Sequence, residues 1–226
     1  MEATNKWLEL TTEEQARYIK SVGNQFQLPY ASIEKDWWVT MVLKALFSMS
    51  FANHLSFKGG TSLSKCWNLI ERFSEDVDIA IDRAFLGFPG ELFKTQISDK
   101  LRRASCSFVR NTMTKELEEQ LLRLGIDKSL FSLNVNITSV TTTDPEIIEV
   151  NYQSILPDVD YVQNRVLVEI SGRSMNEPLE DVEINSMISQ AFPNAQFYDK
   201  SFVIKAVSPK ELSLKRLVCF MKNLQM

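Results

Sequence analysis

The 226-residue sequence predicts an α/β (α+β) fold, a mixed sheet flanked by helices. Helical patterns lead the chain, helix and strand patterns then mix, and strand patterns dominate from 131 to 207. No repeat, linker or shift of composition divides it, so a single domain is expected over 1–226. Within it, 1–52 reads as an N-terminal helical layer, 53–207 as the sheet core and 208–226 as the start of a further helical region.

Each element has its own signal. Thr11 and Glu14 form a capping box, and Ala16, Ile19 and Val22 continue a helical stripe to about Gly23. A second helix starts near Ser32, with Ile33, Trp37, Met41, Ala45 and Met49 recurring every four residues and Trp38, Val42 and Leu46 widening the face. Leu55 to Phe57 is a short strand stopped by Gly59-Gly60, and 61–72 reads as a helix with Leu63, Trp67 and Ile70 on one face. Val77, Ile79 and Ile81 alternate with Asp76, Asp78 and Ala80, the period of a strand. Two helices are expected over 91–109 and 115–124, the second closed by Gly125. Strands follow at 131–137, 147–152, 165–170 and 202–207. Ser208-Pro209-Lys210-Glu211 then opens an amphipathic helix through Leu212, Lys215, Leu217 and Phe220.

Composition excludes several classes of protein. Seven Gly and seven Pro, with no biased tract, exclude disordered and fibrous chains. Charge interrupts every apolar run too soon for a bilayer span, and the polar, acidic start is no signal peptide, so a cytoplasmic location without membrane contact is expected. Cys66, Cys106 and Cys219 are widely spaced and read as reduced thiols, two of them filling core space. His54 is the only histidine, which removes zinc sites built from His and Cys, and any histidine triad that does not use His54. The net charge of −4 argues against coating nucleic acid with the whole surface. The stretch 94–110 nevertheless carries Lys94, Lys100, Arg102, Arg103 and Arg110 against Asp99 alone, which suits either a solvated helix face or a local RNA contact.

The chemistry concentrates between Phe57 and Asp78. A strand enters Lys58-Gly59-Gly60-Thr61-Ser62 and becomes a helix. Such a turn lets backbone N–H groups approach a bulky anion, with the Thr61 and Ser62 hydroxyls expected to point at it. Asp76 and Asp78, two apart on a strand, share a face, and like charges so close call for a cation that accepts oxygen ligands, such as magnesium. A P-loop is excluded because Ser64 and Cys66 flank Lys65 where that pattern needs Gly and a hydroxyl residue. Either motif alone reads as a tight turn or a solvated strand edge. The two in this order, within 22 residues, outline metal-assisted phosphoryl or nucleotidyl transfer. Glu169, a lone acid in an apolar strand, is the candidate third carboxylate.

Lys58-Gly59-Gly60-Thr61-Ser62-Leu63 together with Arg72-Phe73-Ser74-Glu75-Asp76-Val77-Asp78-Ile79 closely resembles the AbiEii/AbiGii-type nucleotidyltransferase toxins, of the DNA polymerase beta-like nucleotidyltransferase superfamily. Ile33 to Trp38, Leu167 to Ile170 and Pro209 to Lys215 are similar to further segments of that family, so the likeness runs from about 30 to 220. It implies a polymerase-beta-like nucleotidyltransferase fold and transfer of a nucleoside monophosphate from an NTP to an acceptor, tRNA in the best understood relatives. It also implies a toxin role beside an antitoxin, or a role in phage defence. Asp76, Asp78 and Glu169 would hold Mg²⁺, with Glu169 completing the site or helping to deprotonate the acceptor. Lys58, Gly59, Gly60, Thr61, Ser62, Arg72 and Ser74 would bind the nucleotide, and Lys215 would neutralise the leaving pyrophosphate.

Relative to the family pattern, the sequence stops eleven residues after Lys215, before the usual arginine and RDxxD-like segment. A shortened form with an exposed apolar patch at Leu217, Phe220 and Met221 is therefore expected. That leaves open a second reading, a nucleotide-binding but catalytically weak module that engages an antitoxin, and a third, transfer to a protein side chain. Lys35 and Asp36 read as structural or supporting residues.

Overall fold

The computed structural model describes residues 3–69, 76–90, 93, 96–136, 146–157, 163–172 and 178–209. Helix α1 spans Ala3–Leu8 and α2 Thr12–Phe26. The capping box is present: Glu14 N–H donates to Thr11 Oγ1 at 3.3 Å, and Thr11 N–H donates to the Glu14 carboxylate at 2.9 Å. Helix α3, Tyr30–Leu46, has 14 of its 17 residues buried, because an apolar surface on every side leaves no face that prefers water.

Strand β1 (Leu55–Lys58) leads directly into α4 (Gly59–Lys65), and β2 (Asp76–Ile81) returns antiparallel to β1. A long helical run from Gln96 to Arg123 follows, in which α5 (Arg102–Phe108) and α6 (Thr114–Arg123) are joined by a π-helical turn, Val109–Met113. Then come β3 (Phe131–Asn136), β4 (Glu146–Tyr152), β5 (Arg165–Ser171), β6 (Leu179–Ile184), α7 (Met187–Ala191) and β7 (Phe202–Val207). The seven strands form one mixed sheet in the order β3-β4-β5-β2-β1-β7-β6, parallel at β5/β2 and at β1/β7 and antiparallel elsewhere. The expected α/β architecture is thus observed.

Alternation gives the sheet two unlike faces. Phe57, Val77, Ile79, Val166, Val168, Ile170, Ile148 and Val150 point one way and are fully buried, with α3 packed against β5. Lys58, Asp76, Asp78, Glu149, Leu167 and Glu169 point the other way and are only half-buried. No helix among the described residues is long and apolar enough to cross a membrane.

Several expectations need correction. The helix after the diglycine ends at Lys65, because Asn68 takes a left-handed conformation (φ 52°) that Asn tolerates and turns the chain outward. The two helices expected over 91–109 and 115–124 are joined through 110–114: Val109 and Met113 are buried and Arg110 grips the Glu146 carboxylate, so tertiary contacts override the weak helix formers Asn111 and Thr112. Helix α2 runs on past Gly23 to a left-handed cap at Gln27. Helices α1 and α7 and strand β6 were not legible. They are short, and β6, exposed at four of its six positions and half-buried at a fifth, has no clean alternation.

Candidate functional site

Strand pairing builds the site at the centre of the sheet. Lys58 is the register partner of Asp78 across β1/β2, and Asp78 is the partner of Glu169 across β2/β5. Registered residues share a face, so Lys58, Asp78 and Glu169 stand in one row across three adjacent strands, each strand about 4.8 Å from the next. Asp76 lies on the same face, one step along β2. Burial raises the Asp78 carboxyl above its ordinary range, opposed by Lys58 and reinforced by Asp76. Glu169 is raised first by burial and then by Asp78 and Asp76, again opposed by Lys58. Asp78 and Glu169 thus both feel the charges of Lys58 and Asp76.

Gly59 closes the row. Its φ of +79° is a conformation that side chains resist, and a Cβ built there would lie 1.8 Å from Asp78 Oδ2. The diglycine turn and the second aspartate of the Asp-x-Asp pair therefore lie in contact, brought together by the antiparallel pairing of β1 with β2. The Lys58 side chain makes no capping bond to α4, so the first turn is not closed by its own N-cap residue.

Thr61 and Ser62 correct an expectation. Both are buried, and a buried hydroxyl must find an acceptor. Thr61 Oγ1 donates to the carbonyl of Asp76, and Ser62 Oγ to the carbonyl of Gly59 at 2.9 Å. Thr61 thus fastens the turn to β2, while Ser62 closes the first turn of α4 on itself. Arg72, Ser74 and Lys215, with the apolar patch expected at Leu217, Phe220 and Met221, lie outside the described residues.

The three carboxylates were expected within metal-bridging reach. They share a face, yet among the described residues no group of three His, Cys, Asp or Glu side chains closes into a metal cluster. The donor set still fits magnesium, which takes one or two carboxylates and completes its shell from water and substrate phosphates.

Asp36 is a supporting residue whose partners were not legible. It accepts from Lys65 Nζ at 2.6 Å and from the backbone N–H of Met187 at 2.7 Å, joining α3 to the end of α4 and the start of α7. His54 lies at the other end of β1, stacked on Phe85 at 4.4 Å, and takes no part in the row. Burial pushes the Cys66 thiol up to about 12, which makes it a core filler and no nucleophile.

The family described as "Nucleotidyl transferase AbiEii toxin, Type IV TA system" matches residues 42–226. The chain belongs to that family. The AbiEii match includes the diglycine turn, both aspartates and Glu169. Among solved structures, MenT4, a nucleotidyltransferase toxin from Mycobacterium tuberculosis H37Rv, is similar with a TM-score of 0.49 and 19% identity, covering 92% of this chain. The chain spans 58% of the length of that structure. No curated protein matches the AbiEii chain described here.

Proposed function

We propose that this chain is a magnesium-dependent nucleotidyltransferase that moves a nucleoside monophosphate from an NTP to a hydroxyl of tRNA, acting in the cytoplasm as the toxin partner of an antitoxin or in phage defence. The reading rests on one arrangement: Lys58, Asp78 and Glu169 in a row, Asp76 on the same face, and Gly59 against Asp78. Magnesium, held by Asp76 and Asp78 together with phosphate oxygens, would supply Lewis-acid stabilisation of the charge that builds on the phosphates. Gly59 and Gly60 leave room for the triphosphate to approach the backbone, and Lys58 offsets its negative charge. The acceptor oxygen bonds to the α-phosphorus as the bond to the pyrophosphate oxygen breaks. Glu169, less enclosed than Asp78, takes the proton that the acceptor loses. Pyrophosphate leaves with the electron pair, the step at which the family resemblance gives Lys215 its role.

The test is incubation with Mg²⁺, each α-labelled NTP and total tRNA. Label should enter the tRNA and should fail to do so with Asp76→Ala or Asp78→Ala. NTP binding without transfer would replace this reading with that of a binding module that engages its antitoxin. Absence of NTP binding would overturn both.

A further inference from the structure

Where α1, α2 and α3 meet the end of β4, the fold forms a partly open pocket of about 330 Å³. Three tryptophans line it, Trp7, Trp37 and Trp38, all buried. Trp7 and Trp37 lie with ring centroids 6.4 Å apart at 39°, and Trp37 and Trp38 meet edge to face at 5.2 Å, so the three indoles form one aromatic cluster in the lining. Glu34, only 4% exposed, is the one ionisable residue among those lining it.

The Glu34 carboxylate accepts from Ser154 Oγ at 2.7 Å and from the Ile155 N–H at 2.8 Å. A carboxylate has about four acceptor positions, so roughly two remain. Among the described residues no cation pairs with it, unlike Asp36, Glu146 and Asp199, each of which faces a Lys or an Arg. Burial alone drives its carboxyl above the ordinary range, and no neighbouring charge opposes that shift. A buried acid beside indoles, with no counter-charge among the described residues, would be favoured in its ionised form by a positive group placed against it.

We propose that this cavity is a binding site for a compact organic cation, an ammonium or guanidinium, seated against the tryptophans with its charge met by Glu34. The volume admits a small organic molecule and is not limited to one or two waters. A metal ion is a poor fit, since one carboxylate among indoles cannot supply the six or more oxygens a hard cation takes. Nucleotides and other anions find no positive group in the lining. Indole faces favour cations over neutral molecules of the same shape, and desolvation inside the cavity strengthens that preference. The site is separate from the Asp76/Asp78 row and holds whether or not that row transfers nucleotides.

Titrating the purified chain with choline, with methylguanidinium and with 3,3-dimethylbutan-1-ol, the uncharged counterpart of choline, tests the proposal through tryptophan fluorescence and calorimetry. At least one cation is expected to bind about tenfold or more tighter than the alcohol. Glu34→Gln should abolish that preference. Because Glu34 also anchors 154–155, a second variant guards against misfolding: Gln153→Arg, at an exposed lining position, places a guanidinium beside Glu34 and should block the added cation. Failure of both cations to bind, equal binding of the alcohol, or unchanged cation binding in Gln153→Arg would each overturn the proposal.

Discussion

Gly59 and Asp78 show how closely a single residue can be constrained. Gly59→Ala would add a methyl group inside van der Waals contact of the Asp78 carboxylate and hold it at φ +79°. Positive φ alone costs about 1–2 kcal/mol, and displacing Asp78 disturbs the row as well. Chemical denaturation should therefore show a loss of at least about 1 kcal/mol, with transfer activity falling by about 100-fold or more. Asp78→Asn has the opposite effect on stability. Burial, together with Asp76, raises the Asp78 carboxyl in the folded state. The folded protein thus holds that proton more tightly than the unfolded chain, so the group's favourable contribution is complete below the unfolded value, about pH 4, and is lost as pH rises through the folded value. At neutral pH the ionised carboxylate weighs against the fold. Asp78→Asn should raise the melting temperature at pH 7 while abolishing transfer, and that gain should shrink as the pH approaches 4; in a chain of this size about 1 kcal/mol corresponds to roughly 2–4 °C. An unchanged or lower melting temperature at pH 7 would contradict this.

At the scale of elements, α4 is only seven residues long and is held at both ends. Thr61 ties its first turn to the carbonyl of Asp76, and Lys65 ties its last turn to Asp36 on α3. The first tie joins the diglycine turn to the aspartate strand, and the second anchors the C-terminal end of α4 to α3. The Lys65–Asp36 pair is buried, so removing one partner strands a charge. Asp36→Asn or Lys65→Met should each cost about 3–5 kcal/mol in urea denaturation, and Asp36→Asn combined with Lys65→Met should cost clearly less than the sum. Additive losses would mean that the two groups are not coupled. The helix α3 that carries Asp36 was legible as strongly buried from its four-residue repeat, and the Thr11/Glu14 capping box from its spacing. The end of α4 was not, because it depends on one left-handed residue, Asn68, rather than on a pattern.

Across the whole molecule, the candidate site sits on β5, β2 and β1, the three central strands, each with a paired neighbour on both sides. A nucleotide held there should stabilise the entire fold by mass action. Addition of NTP with Mg²⁺ is expected to raise the melting temperature in a concentration-dependent way, by about 2.7 kcal/mol of stability at 100 times Kd, and Gly59→Ala should remove the shift. A melting temperature indifferent to NTP would contradict nucleotide binding at this face.

What the sequence determined by itself was local: the period-four face of α3, the alternation of β2 and β5, the Gly-Gly and Asp-x-Asp pairs, and the family likeness they carry. These survive because periodicity and backbone freedom are properties of a few adjacent residues. Only the tertiary structure decided that Lys58, Asp78 and Glu169 share one row, since the register of β2 against β5 joins residues 91 positions apart and is set by packing of the buried face. It also turned Thr61 and Ser62 inward, gave Asp36 its two partners and left Glu34 beside a cavity without a counter-charge. Each of those outcomes depends on which distant groups burial brings together.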